Sequence, residues 1–204
     1  MRIAAAALAT VALGGCAGFS ADGGFGVVEQ AAGERLGKDV RWVRSDAERA
    51  ALDARVEALL AEALTADAAV QVALLNNRGL QAAFDELGIA EAAFVQAGRL
   101  PNPGFGFGRL RRGDETEIER SLHLDLARLL AMPMVREMES RRFERVKREA
   151  AAGMLALAAD ARKAWVAAVA AEQSVRYMGQ VREAADASAE LARRMARAGN
   201  RSEE

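Results

Sequence analysis

Phe105-Gly106-Phe107-Gly108-Arg109 and, beyond Arg111-Arg112-Gly113-Asp114-Glu115, Ile118-Glu119-Arg120-Ser121-Leu122-His123-Leu124-Asp125-Leu126 alternate in character residue by residue. Side chains of a strand point to opposite faces with a period of two, so this stretch reads as strands over 104–112 and 116–126. Pro101-Asn102-Pro103 leads in and Gly113-Asp114 supplies the loop, which makes the pair a β-hairpin. On the second strand Ile118, Leu122, Leu124 and Leu126 share a face interrupted by Arg120, and Glu117, Glu119, Ser121, His123 and Asp125 share the other. Each strand is about as long as a tilted strand that crosses an outer membrane. A soluble pair packed on helices gives the same alternation, so pattern alone leaves both readings open.

Pro133 next turns the chain out of the strand and opens a helix over 134–198. No proline interrupts those 65 residues, which span about 98 Å at 1.5 Å per residue. Val135, Met138, Arg142, Val146, Ala150, Leu157, Ala161, Trp165, Ala168, Val175, Met178, Val181, Ala185, Ser188, Leu191 and Met195 step mostly by three and four. That is a coiled-coil-like stripe with drifting phase, lined by alanine more than leucine. Mixed charges over Arg136 to Glu149 read as a solvated face, and Gly199-Asn200 as the C-terminal stop.

Upstream of the hairpin three helices are expected, over 46–63, 66–75 and 80–97. Ser45 with Glu48 forms a capping box, and Leu52, Val56, Leu59 and Ala63 repeat behind it. Thr65 caps the second helix, which buries Val70 and Leu74 and stops near Asn76-Asn77-Arg78-Gly79. The third carries Leu80, Phe84, Leu87, Ala90 or Glu91, and Phe94 on its apolar side, and Gly98 ends it. Residues 27–44 have weak pattern, with Val40 to Val43 a short strand or an extended strap.

Composition narrows the function classes. About a quarter of the 204 residues are alanine, prolines number 3 and aromatics make up 5%, which favours long, closely packed helices. A net charge of −1 offers no excess to neutralise phosphates, so no nucleic-acid partner is expected. One Cys and one His exclude an intrachain disulfide and zinc or iron–sulfur sites built from clusters of both. No catalytic residue, cofactor or metal site is expected. His123 beside Glu119 and Asp125 reads as a polar-face residue rather than a catalyst.

The N-terminus reads as an address. Arg2 precedes an apolar run from Ile3 to Leu13, the length of a secretory signal and too short to span a membrane. Leu13-Gly14-Gly15-Cys16 resembles the bacterial lipoprotein box, which makes 1–15 a signal peptide and Cys16 the lipidated first residue of the mature chain. Residues 16–45 then form a Gly-rich tether and an extended strap, and Ala17 in the position after Cys16 implies the outer membrane.

The order of these elements resembles the first half of a TolC-type outer membrane efflux protein, from the lipoprotein branch that serves resistance-nodulation-division pumps. Leu64-Thr65-Ala66-Asp67-Ala68-Ala69-Val70 through Ala73-Leu74-Leu75-Asn76-Asn77 is similar to the start of the family's repeat. Ala97-Gly98-Arg99-Leu100-Pro101-Asn102-Pro103 resembles its passage into the first strand. Asp125-Leu126 through Leu129-Leu130 to Pro133 resembles its return into the long helix. The family usually has Asn-Pro where this chain has Asn77-Arg78.

The resemblance implies a mainly α fold. Long coiled-coil-like helices contribute to an α-barrel, one membrane-type β-hairpin contributes to a β-barrel, and the 204 residues amount to an incomplete first repeat, cut at the helical tip and inactive alone. The full-length form would be a homotrimer in the outer membrane, with its helical part in the periplasm. It would be a passive export conduit for small molecules or metal ions. Its partners would be outer membrane lipid, a periplasmic adaptor (membrane fusion) protein and an inner-membrane pump. The tip residues Arg197, Gly199, Asn200 and Ser202 would meet the adaptor. Glu117, Glu119, Ser121, His123 and Asp125 would face the lumen, and Phe105, Phe107, Leu122, Leu124 and Leu126 the lipid. The alternative is a lipid-anchored periplasmic coiled-coil scaffold or adaptor protein that never enters the bilayer.

Overall fold

The computed structural model describes residues 18–199. The expected signal peptide over 1–15, the expected lipidation site Cys16, and Asn200 and Ser202 of the expected tip lie outside the described residues. Among the described residues five helices and one hairpin follow in order: α1 Gly26–Leu36, α2 Asp46–Leu60, α3 Ala66–Asn76, α4 Arg78–Ala97, β1 Gly104–Arg112, β2 Glu115–His123 and α5 Leu126–Arg197. The fold is mainly helical with one small antiparallel two-strand sheet.

Helix α1 corrects part of the expectation of a tether and strap over 16–45, and the strap is confined to the segment after it. The Asp22 carboxylate accepts from the backbone N–H of Gly24 and of Gly26, at 3.1 and 2.9 Å, and so satisfies donors at the start of α1. Val28 and Ala32, four residues apart, are fully buried. At the far end Gly37 adopts φ +61°, with Gly37 N–H on Gly33 O in an αL cap and Lys38 N–H on Ala32 O, so two end carbonyls are satisfied. Ahead of the helix, Gly23 and Gly24 turn with φ +66° and +77°. A Cβ on Gly24 would come within 2.7 Å of the Phe143 ring, so this turn is pressed onto α5 rather than swinging free.

Capping sets the next starts. Ser45 Oγ accepts from Glu48 N–H at 3.2 Å, while the Glu48 carboxylate reaches one residue further back than a standard box, to Arg44 N–H at 2.7 Å. Helix α2 buries Leu52 and Val56 and ends at Leu60, before the expected 63, so Ala63 is not helical. Thr65 Oγ1 accepts from Ala68 N–H at 3.1 Å to start α3. Asn77, extended at φ −78° and ψ 115°, closes α3 and caps α4 through Leu80 N–H at 2.9 Å. One asparagine thus makes the whole bend, and α4 begins two residues before the expected 80.

The core lies along the middle of α5. Phe25, Val28, Ala32 and Val40 from the N-terminal segment, Val70 and Leu74 from α3, and Leu80, Phe84 and Leu87 from α4 surround Ala150, Met154 and Ala158. A second cluster joins Leu52 and Val56 to Leu75. The segment between α1 and α2 is an extended strap, held by two buried glutamines. Gln71 receives Asp39 N–H and donates to Asp39 O, at 3.2 and 2.9 Å. Gln81 receives Val43 N–H at 2.9 Å and donates to Arg41 O at 2.7 Å. Each side-chain amide does for the strap what a neighbouring strand would do, which leaves its backbone paired without a sheet.

Helix α5 is 72 residues and therefore about 108 Å long. It starts eight residues before the expected 134 because Asp125 caps it: Asp125 Oδ1 accepts from Arg128 N–H at 2.9 Å. Pro133 lies inside the helix rather than opening it. The buried phase runs through Phe143, Ala150, Met154 and Ala158, so Phe143 and Met154 join the seam. The last ties to the shorter helices are Arg162 to Asp67 at 2.8 Å and Trp165 Nε1–H to Leu64 O at 2.8 Å. Past Val166, Val175, Met178, Val181, Leu191 and Met195 are all exposed, over roughly 45 Å of helix.

Candidate functional site

The hairpin is built by its ends. Pro101 and Pro103 keep the approach extended, and Gly113 at φ +62° with Asp114 at negative φ has the sign pattern of a tight type II′ turn. That turn fixes the register, Gly104 opposite His123 through Arg112 opposite Glu115. β1 covers the expected 104–112, whereas β2 runs from Glu115 to His123 and stops three residues short of 126.

Register sorts the side chains into two faces of different chemistry. On the first, Phe105, Phe107, Arg109 and Arg111 stand opposite Leu122, Arg120, Ile118 and Thr116. On the second, Gly104, Gly106, Gly108, Leu110 and Arg112 stand opposite His123, Ser121, Glu119, Glu117 and Glu115. The glycines leave room on the second face: a Cβ on Gly106 would collide with Ser121 Oγ. Three carboxylates are therefore concentrated there against one arginine, and the first face holds three arginines and no acid.

Neither face is covered. Phe105 is 81% and Phe107 73% exposed, and Ile118 and Leu122 are more than half exposed. The hairpin does not lay its apolar face on the helical core, as a soluble pair would. Among the described residues both its outer edges carry unpaired strand backbone, since the sheet there has two strands.

The residues expected in the lumen divide. Glu117, Glu119, Ser121 and His123 share the second face, but Asp125 does not: it has left the strand and caps α5. The residues expected in lipid divide in the same way. Phe105, Phe107 and Leu122 share the first face, whereas Leu124 lies in the link and Leu126 is the first residue of α5. Helical bonding from Asp125 onward, with Leu129 N–H on Asp125 O at 3.1 Å, rotates these side chains out of the strand's alternation. Leu126, Leu130, Met134 and Met138, spaced by four, form a separate exposed apolar line on α5.

At the other end, Arg197 is the last residue of α5, and Gly199 turns at φ +78°, both exposed. Arg109, Arg111 and Arg120 stand on one face as a group that the sequence pattern alone does not assemble. Alternation from Phe105 would have placed Arg109 and Arg111 with the phenylalanines, but matching them to Arg120 needed the register.

Among the described residues no group of three or more His, Cys, Asp and Glu could hold a metal ion. No described helix is long and apolar enough to cross a membrane. No protein-family model matches this chain, and no curated protein or solved structure matches it.

Proposed function

We propose that this chain is a component of an outer membrane efflux channel of the TolC type, a passive export conduit for small molecules or metal ions with no chemistry of its own. The observation that carries the reading is the hairpin. It is a two-strand sheet with both edges open and Phe105, Phe107 and Leu122 in solvent. A structure of that kind is complete only when further strands close it, and a closed barrel is the one β arrangement that satisfies every backbone group in lipid. The far half of α5 supports the same reading, because its exposed Val175, Met178 and Val181 ask for neighbouring helices. In this account Cys16 is lipidated and Phe105, Phe107 and Leu122 face lipid. Glu117, Glu119, Ser121 and His123 line the lumen. Arg197 and Gly199, with Asn200 and Ser202 beyond them, lie toward a periplasmic adaptor that links a homotrimer to an inner-membrane pump.

One observation favours the second reading, a lipid-anchored periplasmic scaffold. Arg120 stands opposite Phe107 on the face assigned to lipid, and an arginine at the midplane of a barrel's outer face costs about 2–4 kcal/mol. Gel mobility and extraction separate the two. A conduit component stays in the membrane after lipase treatment and changes its mobility on heating, while a lipid-anchored scaffold is released by lipase and runs alike heated or unheated.

A further inference from the structure

Arg109, Arg111 and Arg120 have no carboxylate on their own face, and their cross-strand partners are Ile118, Thr116 and Phe107. None of the three makes an ion pair among the described residues; Arg111 bonds only the carbonyl of Gly113, at 3.2 Å. Acids are available nearby, in Glu115, Glu117 and Glu119, but all point to the opposite face. An exposed hairpin gains from opposite charges placed across its strands, so this segregation leaves three cations without internal compensation.

We infer that the face formed by Phe105, Phe107, Leu122, Arg109, Arg111 and Arg120 docks on an anionic phospholipid surface. Two properties coincide there and select lipid over other polyanions. Guanidinium groups pair with phosphates in a bidentate fork, and each basic residue close to an anionic bilayer adds to the attraction. A soluble acidic polymer would also neutralise the arginines, but it would leave two phenylalanines, an isoleucine and a leucine in water. A bilayer takes both: rings and aliphatic side chains enter the acyl boundary, and the long arginine stems carry their charges up to the phosphates. The spacing suits this division. Phe105 and Leu122 form one end of the face, and Arg111 lies six residues, about 20 Å, further along the strand. The acidic second face stays toward water, where repulsion from the anionic surface fixes which side goes down. The inference concerns one face of one hairpin lying on a bilayer surface and does not rest on the conduit reading, in which a membrane-spanning hairpin would turn this face to the acyl chains instead.

The test uses the full chain with Cys16→Ser, to remove the acyl anchor, and an environment-sensitive fluorophore on Leu122→Cys. The dye reports on the hairpin itself, whatever the apolar stretch before Cys16 does. Titration with vesicles of phosphatidylcholine plus phosphatidylglycerol should shift the dye to the blue, and phosphatidylcholine alone should do so far more weakly. Replacing Arg109, Arg111 and Arg120 by Gln should weaken the anionic response about a hundredfold, at roughly fivefold per arginine. F105S with F107S should weaken it at least about tenfold. Glu115, Glu117 and Glu119 changed to Gln should leave it intact or stronger. All these positions are exposed, so circular dichroism should report an unchanged helical fold in every variant. Equal responses to neutral and anionic vesicles, or no loss in the triple arginine variant, would overturn the inference. So would heparin binding that competes with vesicles and survives F105S/F107S, which would mark the face as a polyanion site.

Discussion

Replacing Gln81 by Met tests how the strap between α1 and α2 is held. The substitution keeps side-chain length and removes only the amide, so it leaves Val43 N–H and Arg41 O without their partners at 2.9 and 2.7 Å. Arg41 is exposed and water can reach its carbonyl, whereas Val43 is half-buried against the α2–α3 cluster, where its N–H has little access to water. An orphaned buried donor costs about 1–3 kcal/mol, and the solvated carbonyl adds the smaller net value of about 0.5–1.5. Trp42 still anchors the strap through Nε1–H to Asp85 at 2.9 Å, so the strap stays near its place and the expected loss is about 2 kcal/mol. Urea denaturation followed by far-ultraviolet circular dichroism should show a lower midpoint at unchanged slope. Gln96→Met, exposed on α4, serves as the control for losing a glutamine from a helix. Equal stability of Q81M and the control, within about 0.5 kcal/mol, would refute the claim that glutamine amides stand in for a neighbouring strand.

Gly24→Ala should cost about 2 kcal/mol, because its φ of +77° and the Phe143 ring 2.7 Å from a new Cβ both resist the substitution; a thermal melt reads the loss. Phe84→Ala empties a fully buried site touching the Phe25 ring at 4.8 Å between centroids, and calorimetry should report a loss of about 3–5 kcal/mol. Three carboxylates are held below their ordinary range: Asp22 by the N–H groups of Gly26 and Gly24, Asp39 by Arg55, and Glu48 by Arg44 N–H. Depressed values mean that their contributions are complete above the unfolded values of 3.8 and 4.5 and are lost as the pH falls through the folded ones. Urea midpoints should therefore hold steady down to about pH 5 and drop below pH 4, and Asp22→Asn should flatten part of that drop.

Local signals carried most of the helical layout. Ser45 and Thr65 each precede an apolar repeat, and both cap the helix that follows. The strand over 104–112 is legible because Pro103 and Gly113 bracket it. The return into α5 was hidden by a double reading: Leu122, Leu124 and Leu126 extend the strand's period of two, while Leu122, Leu126 and Leu130 also step by four. Asp125 decided between them by capping the helix, and it takes Leu124 and Leu126 out of the lipid-facing set. Helix α1 offered only Val28 and Ala32 as an apolar pair, too few to stand out, although Gly37 marked its end. The pairing of Gln71 and Gln81 with the strap joins residues 32 to 40 apart, a separation that no local pattern reports. The same limit applied to the hairpin faces, where only the register assembles Arg109, Arg111 and Arg120.

The conduit reading requires the hairpin to cross the outer membrane, with its Gly113-Asp114 turn on the far side from the helices. Asp114→Cys and, in a separate protein, Ala187→Cys on the exposed far half of α5 can be labelled in cells with a large, membrane-impermeant polyethylene glycol maleimide. In that reading acylation occupies the Cys16 thiol, so each variant offers one reactive site. The account predicts labelling of Asp114→Cys in intact cells and of Ala187→Cys only after the outer membrane is permeabilised. Labelling of both positions only after permeabilisation would contradict it and leave the hairpin in the periplasm.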